Sequence, residues 1–211
     1  MANIVIETHE EIEARAVRIA ERPIPLEAFL DLNINRDSEL VGGVMVKKMA
    51  AQLAHEKLIA WMLTVLNAFV SHKQLGIVLS SRFTVRIDEH NARLPDLLFV
   101  RKDRDHIVQE RAVYGAPDLV IELISPNDRP SDTIDLETDY RSINVPEILF
   151  IDQQKRQVLV LRKRDDRYDE LMLTTGTLDL AGIDGFAVQV SWLFDESRPD
   201  AFDLVRSLLK E

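Results

Sequence analysis

The most regular pattern of apolar positions in the chain lies in residues 50–70. Apolar side chains recur there at spacings of four, three and four residues, at Leu58, Met62, Val65 and Phe69. Such spacing places all four on one face of an α-helix. The pattern therefore predicts a long helix that packs against the core of the protein.

Elsewhere the apolar positions have the period of β-strands or form short continuous runs. Residues 77–88 alternate between apolar and polar side chains, which predicts one half-buried strand. Two continuous runs, residues 95–100 and 117–124, both begin with Pro-Asp-Leu. The other predicted elements are helices over residues 8–21, 26–32, 132–142 and 199–209, and strands over residues 39–41, 147–152, 157–162, 171–173 and 185–192. This order predicts an α/β (α+β) fold, in which a mixed central β-sheet is flanked by helices.

The composition is that of a globular domain, with 211 residues, 46% of them hydrophobic and 29% charged. We expect three parts: an N-terminal helical extension in residues 1–21, a core domain in residues 22–196 and a C-terminal helix in residues 197–211. The sequence has no cysteine, no segment that resembles a signal peptide and no apolar stretch as long as a membrane span. We therefore expect a cytoplasmic protein that does not associate with membranes.

The formal net charge of −10 counts against general nucleic-acid binding, because phosphate neutralisation needs positive charge. A nucleic-acid ligand would require a local basic patch or bound metal ions. Two basic runs, residues 101–104 and 162–164, could contact phosphates. Such runs are more often simply solvated.

The most informative single residue is Glu122, which interrupts the apolar run 117–124. A carboxylate in a buried strand costs several kcal/mol unless it is paired, protonated or bound to a cation. Asp96 supplies a second carboxylate at the start of the other Pro-Asp-Leu strand. Two acidic groups on neighbouring strands would form a cradle for a divalent metal. Asp118 has the same local position as Asp96, but we interpret it as a turn or capping residue.

Several short motifs keep a fixed order along residues 22–196. They are Arg22-Pro23 before residues 26–30, Glu39-Leu40-Val41-Gly42-Gly43, His55 at the start of the long helix, Pro95-Asp96, residues 115–126, Tyr140 before Asn144-Val145-Pro146-Glu147, and Gly185-Phe186 before Trp192-Leu193-Phe194. Taken together, this set resembles a family of restriction-endonuclease-like proteins within the PD-(D/E)XK nuclease superfamily.

The resemblance implies a metal-dependent DNA endonuclease. It implies that Asp96 and Glu122 are catalytic residues and hold Mg²⁺ or Mn²⁺, and that His55 borders the site. It also implies a lysine one helical turn before Tyr140, where this chain has Leu136. An acidic residue expected after the glycine turn is replaced by Val44.

Two functions remain open at this point. The first is DNA hydrolysis, with a cation from another element, such as Lys47, Lys48 or Arg82, in place of the missing lysine. The second is a catalytically inactive pseudo-nuclease that acts as a binding or regulatory dimer, which the apolar Leu136 and Val44 favour.

The apolar N-terminal stripe and C-terminal segment also predict a homodimer, because a single small domain would leave them uncovered. The C-terminal residues concerned are Trp192, Leu193, Phe194, Leu204, Leu208 and Leu209. The fold itself should bury the apolar positions of the long helix and the central strands. These are Leu58, Met62, Phe69, Phe99, Leu119, Ile121, Leu149 and Ile151. Asp96 and Glu122 should share one face of the sheet.

Overall fold

The computed structural model of the protein describes residues 16–17, 23–33, 37–48, 52–80, 83–125, 130–195 and 198–210. The α-helices are α1 (Leu26–Leu32), α2 (Leu53–His72), α3 (Pro130–Ser142) and α4 (Ala201–Leu208). The strands are β1 (Ala16–Val17), β2 (Ser38–Val41), β3 (Val44–Lys47), β4 (Gly76–Ser80), β5 (Thr84–Arg86), β6 (Ala92–Arg93), β7 (Leu97–Arg101), β8 (Ala112–Val113), β9 (Leu119–Ile124), β10 (Glu147–Asp152), β11 (Gln157–Arg164), β12 (Arg167–Leu173), β13 (Thr177–Asp179) and β14 (Ala187–Gln189). Two 3₁₀ turns, Lys102–Ile107 and Val190–Leu193, complete the described elements.

The central sheet has six strands in the order β12-β11-β10-β9-β7-β4. The neighbours β9 and β10 run parallel, and the other pairs are antiparallel. A mixed sheet flanked by helices was predicted and is confirmed. The two Pro-Asp-Leu strands, β7 and β9, lie side by side in its middle.

One face of the central sheet is covered by α2, and α4 packs against α2 in the same apolar cluster. All eight apolar residues predicted to be buried have at most 4% of their surface exposed, and all belong to one cluster on this face. The C-terminal helix begins at a proper cap, since the Asp200 carboxylate accepts hydrogen bonds from the backbone of Phe202 and Asp203. Leu204 of this helix is buried in the same cluster.

The opposite face of the central sheet carries a second apolar cluster. It includes Val120 and Phe150 of the central strands and Tyr140 of α3. Side chains of a strand alternate between faces, so Glu122 points to this second face together with Val120. The same alternation places Asp96 with Leu98 on that face.

A smaller sheet, in the order β1-β3-β2-β6-β5-β8, adjoins the central one. Its hairpin β2–β3 turns through Gly42 and Gly43, whose φ angles of 56° and 75° suit a tight two-residue turn. Residue Lys48 follows directly after this hairpin.

Several elements differ from the sequence-based expectations. Of the strand predicted over residues 185–192, only Ala187–Gln189 is a strand, and Val190–Leu193 forms a 3₁₀ turn. Residues 77–88 do not form one strand, because β4 pairs with β7 in the central sheet whereas β5 pairs with β6 and β8 in the smaller one. The helix predicted over residues 8–21 is wrong at Ala16–Val17, where backbone pairing with β3 makes a strand. Its remaining residues lie outside the described ones.

The C-terminal segment is also less available than expected. Leu193 and Leu204 are buried within the chain, and Trp192, Phe194, Leu208 and Leu209 pack against the first cluster. These side chains are therefore covered within the chain. The C-terminal segment no longer supports the prediction of a homodimer.

One described helix, α2, is long and apolar enough to span a membrane by length and composition. In this fold its buried side, which includes Leu58, Val65 and Phe69, packs against the central sheet. That is the environment of a core helix in a globular domain.

Candidate metal-dependent nuclease site

Asp96 and Glu122 lie opposite each other on adjacent strands. Leu97 pairs with Ile121 in the antiparallel ladder, so the preceding and following residues also face each other. The backbone N–H of Leu123 donates to Asp96 Oδ2 at 2.9 Å, and the N–H of Asp96 lies 3.4 Å from Glu122 Oε2. The structure therefore brings together the two carboxylates that the sequence singled out.

Glu122 is almost completely buried, with 3% of its surface exposed. Its Oε1 accepts a 2.6 Å hydrogen bond from the hydroxyl of Tyr140 on α3. Burial raises the pKa of Glu122 to about 8, the ammonium of Lys48 opposes this rise, and the negative charges of Asp96 and Glu39 add to it. These surroundings favour a proton on Glu122 near neutral pH.

Asp96 responds in the opposite direction. Burial alone would raise its pKa, but the charge of Lys48, the imidazole of His55 and the N–H of Leu123 together hold the pKa below its usual value. One acid of the pair is therefore stabilised as a carboxylate and the other as a carboxylic acid, as expected for like charges in close contact.

His55 lies on the first turn of α2 and reaches the site. Its Nε2 is 3.1 Å from Asp96 Oδ2, the oxygen that also accepts from Leu123. Its buried Nδ1 has no hydrogen-bond partner among the described residues. The sequence placed His55 at the border of the site, and the structure puts it in contact with one carboxylate.

A lysine comes to the site from the smaller sheet. Lys48 donates to the backbone carbonyl of Leu94 at 2.7 Å, and its Nζ lies 3.8 Å from both Asp96 Oδ1 and Glu39 Oε1. Lys48 was one of three candidate cations. Of the other two, Lys47 is exposed and pairs with Asp37 at 3.2 Å, and Arg82 lies outside the described residues.

A buried ion-pair network supports this arrangement, and its members were missed as site residues. Arg93 donates to Glu39 Oε2 at 3.0 Å and to Asp139 Oδ2 at 2.6 Å, while Glu39 Oε1 accepts from the backbone of Leu94. Although burial lowers the pKa of Arg93, Glu39 and Asp139 outweigh that effect and raise it. Two sequence signals pointed to them: Arg93 lies between apolar neighbours in residues 92–94, and Glu39 opens the motif Glu39-Leu40-Val41-Gly42-Gly43.

The position where a lysine was expected, Leu136, also has apolar surroundings in the structure. Leu136 is half-buried and packs against the second apolar cluster. Val44 is half-buried on β3. Asp118 lies at the other end of the strand pair, where it binds Arg104, as expected for a structural residue.

The resemblance implies a divalent metal at this site, and the side chains present offer two carboxylates as ligands. Among the residues that the structure describes, no group of three or more His, Asp or Glu side chains has metal-binding geometry. Mg²⁺, however, is commonly held by one or two carboxylates, with waters and substrate phosphates completing its shell. The Asp96–Glu122 pair fits that mode, because a bound cation would take the place of the proton on Glu122 and offset the negative charge of both acids.

The central mixed sheet with this carboxylate pair defines a domain of the nuclease-like class. The chain belongs to the Uma2 family, which is described as "putative restriction endonuclease" and whose profile matches residues 26–191. A crystal structure of a "putative nuclease" from Anabaena variabilis has the same fold, with a TM-score of 0.68 and 18% sequence identity. The alignment covers 82% of this chain and 98% of that one. A comparison with curated proteins found no match.

Proposed function

We propose that this protein is a DNA endonuclease that depends on Mg²⁺ or Mn²⁺ and uses Lys48 as the cation of its catalytic site. The observation that carries the proposal is the position of Lys48 Nζ, 3.8 Å from Asp96 Oδ1 beside the buried Glu122. The family and its fold support a nuclease. The contacts of Asp96 with Lys48 and of Glu122 with Tyr140 support the assignment of these residues to a catalytic site.

In this mechanism each side chain has a separate task. Asp96 and Glu122 are the metal ligands, and the bound metal would lower the pKa of a water molecule and stabilise charge on the scissile phosphate. Tyr140 fixes the rotamer of Glu122 through its hydroxyl. His55 and the Leu123 N–H hold Asp96 Oδ2, which directs Oδ1 towards Lys48.

Lys48 supplies the positive charge that the helix position Leu136 lacks. Its ammonium is oriented by the Leu94 carbonyl and by Glu39, and Glu39 is in turn held by Arg93. A positioned ammonium can orient the attacking water and balance negative charge on the phosphate. The Glu39–Arg93–Asp139 network thus positions the lysine.

The test compares two adjacent lysines. Lys48→Met should reduce Mn²⁺-dependent cleavage of supercoiled plasmid by roughly a hundred-fold or more, the scale of losing one electrostatic group at the reacting centre. Lys47→Met is the matched control, because Lys47 contacts Asp37 at the surface, and it should leave cleavage unchanged. Binding of Mn²⁺, followed by electron paramagnetic resonance, should persist in both variants.

Two results would reject the proposal. Equal cleavage by the wild type and Lys48→Met would remove Lys48 from the mechanism. No cleavage and no Mn²⁺ binding by the wild type would favour the pseudo-nuclease, in which Leu136 and Val44 are signs of a lost activity.

A further inference from the structure

The central sheet ends in an exposed edge strand, β12. Its residues pair in continuous register with β11, from Arg167 opposite Arg164 to Leu173 opposite Val158. Among the residues that the structure describes, no strand pairs with the outer edge of β12. Alternate backbone N–H and C=O groups of such an edge point outwards without a strand partner, which makes the edge a template for another strand.

The second half of this strand is apolar and exposed. Leu171 and Met172 have 48% and 50% of their surfaces exposed, on opposite faces of the strand. Of the large apolar side chains exposed in the described part of the chain, only these two are neighbours in sequence. Isolated exposed apolar residues are common on soluble proteins. Two at adjacent positions of an open edge indicate a surface that a partner covers.

The devices that protect edge strands are missing from this half. Residues 171–173 contain no proline and no charge, and their continuous register leaves no bulge. The charged half is neutralised within the chain, where Asp169 pairs with Arg164 at 3.2 Å and Glu170 pairs with Arg141 of α3 at 2.7 Å. A second strand that approaches this edge therefore meets two acids that already have partners.

The order of residues along β12 suits a second copy of the same strand. In a symmetric antiparallel pair, one residue lies opposite its own copy and the others pair at equal distances on either side of it. An axis at Glu170 would set two carboxylates against each other, and an axis at Leu171 would set Glu170 against the apolar Met172. An axis at Met172 instead sets Leu171 against Leu173 of the other copy. It also sets Glu170 against Thr174, whose hydroxyl can donate to a carboxylate.

We propose that this protein forms a two-fold dimer through antiparallel pairing of β12 with β12 of a second copy, with Met172 at the axis. The two six-stranded central sheets then form one continuous sheet. Residues 171–173 of the two copies pack against each other, and the open backbone groups of both edges gain partners. Glu122 lies on β9, the fourth strand from this edge, so the dimer does not depend on the proposed nuclease activity.

Light scattering of the full chain tests the proposal. The wild type should have twice the 24.2 kDa mass of one chain at micromolar concentration. Met172→Lys should raise the dissociation constant of the dimer roughly tenfold or more, because it sets two ammonium groups against each other at the axis. Leu32→Lys is the matched control, since Leu32 is 40% exposed on α1 beside the smaller sheet, and it should leave the dimer intact. A monomeric wild type, or equal dissociation constants for the two variants, would overturn the proposal.

Single cysteines locate the interface, because the chain has no cysteine of its own. Met172→Cys should form an intermolecular disulfide under mild oxidation, since residues directly opposite each other in an antiparallel pair have Cβ atoms about 5 Å apart. Glu170→Cys is the control on the same face of the strand. Its copy would lie four residues further along, at about 13 Å, so it should not cross-link. Cross-linking of Glu170→Cys in preference to Met172→Cys, or of neither variant, with normal melting curves, would reject this interface.

Discussion

The two Pro-Asp-Leu tripeptides have the same local structure and different surroundings. Asp96 and Asp118 each begin a central strand and are nearly equally buried, with 5% and 6% of their surfaces exposed. Asp118 accepts from Arg104 at 2.6 Å and from the backbone of Arg101 at 2.9 Å, which satisfies both of its oxygens. Asp96 instead faces a second carboxylate and two groups from distant elements.

The difference lies in the charge of the neighbour. Asp118 has a guanidinium beside it and forms a structural ion pair, whereas Asp96 faces Glu122, whose own negative charge is disfavoured by burial. A neutralised carboxylate has no further demand for a cation. At the other site two acids, Asp96 and Glu122, lie near one ammonium, that of Lys48, so one negative charge requires either a proton or a further cation. This distinguishes a candidate metal site from a structural residue with the same Pro-Asp-Leu context.

The largest effect on cleavage is expected when each of the two aspartates is replaced in turn. Asp96→Asn should reduce Mn²⁺-dependent plasmid cleavage by roughly a thousand-fold or more, the scale of losing a group essential to the chemical step. Asp118→Asn should keep cleavage near the wild-type rate and destabilise the fold by about 1–3 kcal/mol, because Arg104 loses its partner. Plasmid nicking and urea denaturation measure the two effects. Equal losses of cleavage would show that the two aspartates do not differ in role.

The pH dependence of stability should reveal the charge conflict at Glu122. An acid whose pKa is raised on folding binds more protons in the native state, so stability is lost as pH rises from about 4.5 to about 8. The loss should amount to a few kcal/mol, since one pKa unit corresponds to about 1.4 kcal/mol. The lowered pKa of Asp96 acts in the opposite sense, at pH values below this window.

Urea denaturation in the presence of a chelator, at several pH values across this window, measures that slope. Glu122→Gln should flatten the slope, and Asp118→Asn should keep it. Added Mn²⁺ should stabilise the wild type more at the upper end of the window. A slope that is unchanged in Glu122→Gln would mean that another group titrates.

A smaller effect should follow from removing one hydroxyl near Glu122. Tyr140→Phe should cost about 1–3 kcal/mol, the penalty for leaving a buried acceptor without its donor, and should move the pH midpoint upward because this hydrogen bond lowers the pKa of Glu122. Tyr168→Phe is the control, since Tyr168 packs against the same cluster but donates to the Val145 carbonyl. It should lower the melting temperature without moving that midpoint. Equal midpoints in both variants would remove Tyr140 from the site.

The smallest effect is expected at Leu136, the position where the resemblance to restriction-endonuclease-like proteins implies a lysine. Leu136→Lys should cost about 1–2 kcal/mol, because only part of this side chain is buried, and should add little cleavage while Lys48 is present. In a Lys48→Met background it should restore part of the Mn²⁺-dependent nicking. A large gain in the presence of Lys48 would show that Lys48 does not do the work of the missing lysine.

The predictable part of this protein is what local periodicity encodes. The spacing of Leu58, Met62 and Phe69 identified α2 and its buried face, because a helix face repeats every three to four residues. The position of Glu122 within an apolar run identified an unusual carboxylate. The period failed at residues 77–88, where one alternating segment serves two sheets.

By itself, the sequence determined the main helices, the strands of the central sheet and the two unusual carboxylates, because the period of apolar positions and a charge within an apolar run identify them locally. Only the tertiary structure decided the register that sets Asp96 opposite Glu122 and the cation that lies beside them. Lys48 reaches Asp96 from the smaller sheet, and His55 reaches it from α2, 41 residues away in sequence. Such contacts depend on how the two sheets and α2 pack together. The spacing of apolar residues within one segment carries no information about that packing.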